Sequence, residues 1–71
     1  MTLSDSLKYI RNTLSITQEQ LARDLNVSYT TLNRWENNHT SPSRLAKMRI
    51  AEYCIEKKLP KEIINTFKEL I

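Results

Sequence analysis

The chain has no glycine, one cysteine, one histidine and two prolines among 71 residues. Without glycine there is no glycine-rich loop to cradle a phosphate, and any left-handed backbone position must be filled by a residue that carries a side chain. The lone Cys54 excludes an internal disulfide and fits a reducing cytosol. The lone His39 has no cysteine or second histidine at metal-ligand spacing, so neither a metal nor a cofactor is expected. The longest uninterrupted apolar run is Tyr53-Cys54-Ile55, far short of a transmembrane helix or a signal-peptide core. No nucleophile–base pair or working pair of acids is visible. A chain this small commits most of its apolar residues to one core, which leaves little room for an enclosed substrate pocket. These absences argue against an enzyme, a membrane protein and a small-molecule substrate. Met1 reads as a natural start, and residues 1–71 read as one domain.

The net charge of +3 is mild but unevenly spread. Residues 1–41 hold four basic against four acidic side chains, and residues 42–71 hold seven against four. Such a surplus is compatible with a polyanionic partner and is too small to identify one.

What the sequence does contain is helical periodicity from end to end. Leu3, Leu7, Ile10 and Leu14 form one apolar stripe on a first helix. Thr17-Gln18-Glu19-Gln20 reads as a capping box, with Thr17 as N-cap and Gln20 bonding back, and the helix it opens turns Leu21, Ala22 and Leu25 inward. Asn26 stands where a left-handed residue ends a helix, and Ser28 is the next N-cap candidate. A fourth helix capped by Ser43, spanning about 43–57, has two apolar sides: Leu45, Met48, Ala51 and Ile55 on one, Ala46, Ile50 and Tyr53 on the other. Two neighbours are needed to cover it. Pro60 suits the first turn of a fifth helix over 60–71, with Ile63, Ile64, Phe67, Leu70 and Ile71 as its stripe. The fold class is therefore all-α, with five helices and no strand.

The third helix carries the chemistry. At about 100° per residue, Leu32, Trp35 and a shielded Thr31 gather on one side. Tyr29, Thr30, Asn33, Arg34 and Asn37 gather on the other. The first side is an apolar anchor. The second is a row of hydrogen-bonding groups with one guanidinium, lacking the paired opposite charges of an ordinary solubilising face. Such a row suits a partner rich in donors and acceptors.

Residues 14–43, LSITQEQLARDLNVSYTTLNRWENNHTSPS, resemble the helix-turn-helix of the phage repressor and Cro-like family of DNA-binding regulators. The matching features are Thr17-Gln18, Leu21-Ala22, the Val27-Ser28 turn, Leu32, Trp35-Glu36-Asn37 and the polar loop to Pro42. The family usually has glycine where this chain has Asn26 and Asn38, a departure that asparagine tolerates at small cost.

The resemblance implies a five-helix fold with the helix-turn-helix at 17–37 and double-stranded DNA as partner. It places the third helix in the major groove, with Tyr29, Thr30, Asn33 and Arg34 at base edges. Arg34 matches guanine O6 and N7, Asn33 matches adenine, and Thr30 offers a hydroxyl or a methyl for thymine. Tyr29 is long enough for a base or a phosphate. Thr17, Gln18 and Ser28 at helix starts, then Asn37, His39, Thr40 and Arg44, are the implied phosphate contacts. Trp35 is implied to be structural, as is a pair between Glu36 and Arg11. The blander reading of Arg34 is an ion pair with Asp24 or Glu36.

A single recognition helix discriminates too few base pairs to find one genomic site. A homodimer is therefore expected, forming on DNA over half-sites about one turn apart. The overall expectation is a sequence-specific transcriptional regulator, a repressor in the cytoplasm and nucleoid of a bacterial or phage-infected cell. The alternatives are a DNA-docking module or antitoxin-type partner of a larger system, such as a modification enzyme, and a helical protein–protein adaptor.

Overall fold

The computed structural model describes residues 2–68 and is all-helical among them. Five helices follow in order: α1 (Leu3–Leu14), α2 (Gln18–Leu25), α3 (Tyr29–Glu36), α4 (Arg44–Glu56) and α5 (Lys61–Lys68). Four start with a side-chain cap. Thr2, Thr17, Ser28 and Ser43 each accept a hydrogen bond from the backbone N–H three residues on, filling one of the donors a helix start leaves open. The capping box at Thr17 is only half made. Its hydroxyl accepts from the Gln20 N–H at 3.0 Å, but the Gln20 side chain turns away, donating to Asp24 and accepting from Arg23. Those partners lie three and four residues along the same helix, nearer at hand than the N-cap amide.

Left-handed residues close the connections. Asn26 (φ 59°) and Asn38 (φ 60°) occupy the positions read from sequence, and Ser15 (φ 56°) and Lys58 (φ 58°) do the same work without a sequence signal. At Asn26 the N–H reaches the Arg23 carbonyl at 3.0 Å and the Val27 N–H reaches Ala22 at 2.9 Å. This reversal pairs the Ala22 and Arg23 carbonyls and lets α3 begin three residues after Asn26.

The core collects Leu7 and Ile10 from α1, Leu21, Ala22 and Leu25 from α2, and Leu32 and Trp35 from α3. Ile50, Ala51 and Cys54 of α4 join it, then Leu59, and Ile63 and Phe67 of α5. Helix α4 packs mainly on α5, while α3 is held between α1 and α2. The α5 stripe therefore serves as core cover, with Phe67 fully buried; Leu70 and Ile71 lie outside the described residues.

The expected double-sided burial of α4 is not what forms. Ile50, Ala51 and Cys54 are inside, whereas Leu45, Met48 and Ile55 are 71%, 42% and 49% exposed. Helix α5 and α2 cover the adjoining faces and leave that side open.

Burial pushes the Cys54 thiol up to about 12. The fold thus favours the protonated form, and the stability this contributes is present below the ordinary value of 9.0 and lost as pH rises from there towards 12. The native chain is expected to react with iodoacetamide near pH 8 far more slowly than the urea-unfolded chain, because the thiolate is the nucleophile. Equal labelling rates would contradict a core position for Cys54.

Candidate nucleic-acid interface

Helix α3 is short, so its orientation depends on what holds it. Leu32 is fully buried and Trp35 nearly so, anchoring one side. At the start, the Ser28 hydroxyl accepts from the Thr31 N–H at 3.0 Å and donates to the Thr31 Oγ1 at 2.8 Å, so both hydroxyls are engaged locally. At the end, α1 grips α3 twice. Arg11 donates from Nε and Nη2 to the two Glu36 carboxylate oxygens at 2.8 and 2.7 Å, and the Ser4 hydroxyl donates to the Glu36 backbone carbonyl. Glu36 is 2% exposed and the Arg11 side chain 24%. That two-pronged bond raises the Arg11 pKa further above its ordinary value. The resemblance pointed to this pair; the Ser4 contact had no signal in the sequence.

Helix α2 is tied down as well. The Tyr53 hydroxyl donates to Asp24 at 2.9 Å, linking α4 to α2, and Arg49 reaches the Leu25 carbonyl at 3.4 Å. Burial, then the Asp24 bond, pushes the Tyr53 phenol above its usual range. Neither tie is visible to periodicity, because each joins residues far apart in the chain.

Against this anchored side stands an outer face that is left open. Tyr29 is 52% exposed, Thr30 and Arg34 are exposed, and Asn33 is half-buried. Among the described residues no hydrogen bond or ion pair engages any of these four side chains. Arg34 in particular has neither of its suggested ionic partners: Asp24 is taken by Gln20 and Tyr53, and Glu36 by Arg11.

The remaining candidates lie in three places. Thr17 is exposed and Gln18 half-buried at the start of α2, where geometry leaves the first backbone N–H groups without intrahelical acceptors. Such a terminus favours an anion. Asn37, His39 and Thr40 are exposed in the turn that leaves α3, with the His39 N–H on the Arg34 carbonyl at 2.9 Å. Arg44 is exposed in the first turn of α4. The structure brings Tyr29, Thr30, Asn33 and Arg34 together on one face. No hydrogen bond ties His39 or Arg44 to that face among the described residues. No group of three potential metal ligands occurs among the described residues, and no helix there is long and apolar enough to cross a membrane.

A family model described as helix-turn-helix matches residues 7–55, well over half of the chain. Comparison with curated proteins gives no match, and comparison with solved structures gives none either.

Proposed function

The chain belongs to the XRE-type helix-turn-helix family of lambda-repressor and Cro-like DNA-binding regulators, and we propose that it is a sequence-specific repressor that inserts α3 into the major groove of duplex DNA. One observation carries this reading. Four polar side chains, Tyr29, Thr30, Asn33 and Arg34, stand on one face of a helix whose other face is anchored by Leu32 and Trp35, and no hydrogen bond or ion pair among the described residues engages them. A guanidinium held that way loses little on entering a groove, because it gives up no internal bond. In this reading residues 1–71 work as one DNA-binding unit with the helix-turn-helix at 17–37. It acts in the cytoplasm, at the nucleoid of a bacterial or phage-infected cell.

Arg34 takes the role of base reader and Asn33 and Thr30 read beside it, while Tyr29 reaches either a base or the backbone. Thr17, Gln18 and Ser28 hold phosphates at helix starts, assisted by Asn37, His39, Thr40 and Arg44. Two copies bind half-sites about 34 Å apart. Ile63 and Phe67 of α5 are spent on the core, and in this reading the dimer contact falls on α4. There Met48 and Ile55 border a groove that also holds Glu52 and Lys68, an arrangement able to set opposite charges against each other across a two-fold axis.

Arg34→Ala and Gln18→Ala distinguish base reading from phosphate holding. With duplexes bearing a selected site and with random duplexes, Arg34→Ala is expected to lose roughly 1–3 kcal/mol on the site and to relax preference at one base pair. Gln18→Ala is expected to weaken binding to all sequences alike. Variants that bind both kinds of duplex as the parent does would overturn the interface.

A further inference from the structure

A groove that DNA binding leaves unused lies between the α2–α3 turn and the start of α4. Val27, Trp35, Leu45, Ala46 and Ile50 line it with Arg49, around a volume of about 180 Å³. Leu45, at 71%, is the most exposed large hydrophobic residue among the described residues. An aliphatic side chain left this far in water gains from being covered. A cavity of roughly 150 Å³ holds a benzene-sized group, whereas pockets for larger organic ligands begin near about 300 Å³. The space here therefore suits one bulky aliphatic or aromatic side chain.

Charge narrows the occupant. Arg49 is the one charged residue lining the groove; one of its Nη groups reaches the Leu25 carbonyl at 3.4 Å, and no ion pair engages it among the described residues. Lys47 arises from the same two turns of α4, whose first turn has no acidic residue. Cations thus collect where the helix dipole is already positive, an arrangement that costs stability in the isolated chain. DNA phosphates would match these cations but not an apolar floor. A second copy of the same groove would match the floor, but its lining holds no acidic residue and so offers Arg49 no carboxylate. A partner offering both a carboxylate and a large apolar side chain satisfies each feature.

We propose that this groove docks an acidic peptide segment of another protein, which seats one leucine- or phenylalanine-sized side chain against Val27, Trp35 and Leu45 and sets a carboxylate on Arg49. The mode is a small anchor in a pocket with a charged rim. It stands independently of the DNA reading.

Trp35 is the only tryptophan, so its emission reports on the groove directly. The probe is a synthetic glutamate- and alanine-rich helical peptide with a central leucine and phenylalanine, titrated in the absence of DNA. Its controls are the same peptide with lysine for glutamate and with alanine for the two apolar residues. Saturable change is expected with the acidic apolar peptide alone, weakened about tenfold by Leu45→Ser and by Arg49→Gln. Both positions are exposed, and unchanged circular dichroism of the two variants confirms that they fold. Three results would overturn the proposal: no saturable change, equal binding of the lysine peptide, or self-association of the chain that Leu45→Ser abolishes.

Discussion

Phe67→Ala is expected to cost roughly 3–5 kcal/mol, the range for removing a large aromatic from a well-packed core. Phe67 is fully buried, and α5 closes over α4 and α1 through it and Ile63. A domain of this length has a total stability of roughly 4–10 kcal/mol. The variant should therefore lose from about a third to all of its stability, read as a large fall in the midpoint of a urea titration followed by circular dichroism. The experiment also decides what α5 is for. A variant that melts like the parent yet no longer dimerises would make Phe67 a surface residue and contradict the packing described above.

The second large effect concerns the clamp on the end of α3. Arg11→Ala leaves the Glu36 carboxylate at 2% exposure without its cation. Breaking a buried pair from one side costs about 3–5 kcal/mol, and the lower end applies because a quarter of Arg11 meets solvent. A loss of about 3 kcal/mol lowers the melting temperature of a chain this size by roughly 12–24 °C. Arg11→Lys should recover only part of it, since an ammonium cannot reproduce the two parallel bonds. Replacing both partners, Arg11→Met with Glu36→Leu, should recover more stability than either single change leaves, because no orphan charge remains. DNA affinity is expected to follow stability in this series, in contrast to Arg34→Ala, which should leave the melting temperature near that of the parent. If Arg11→Ala melts normally, the pair does not hold α3.

Much of the fold was legible because its signals are local. Thr17, Ser28 and Ser43 cap helices through bonds spanning three residues, and the stripes of α1, α2 and α5 repeat at helical spacing. Asn26 and Asn38 announced left-handed turns because asparagine adopts them readily, whereas Ser15 and Lys58 gave no warning. Helix α4 departs from its sequence pattern for a physical reason. Apolar residues on two sides show that a helix has much to bury, not which side its neighbours reach, and Leu45, Met48 and Ile55 stayed in water. The face of α3 could be drawn from periodicity alone, since an anchored helix of known phase must present the opposite residues. What makes the face stiff was hidden. Ser4 on the Glu36 carbonyl and Tyr53 on Asp24 depend on contacts across the fold.

The central claim is that the open face of α3 reads base sequence. Selection of the chain's ligands from a pool of random duplex DNA, followed by sequencing, tests it most directly. The expected product is a pair of inverted short half-sites with centres about 34 Å apart. A bound pool indistinguishable in sequence from the starting pool would contradict it.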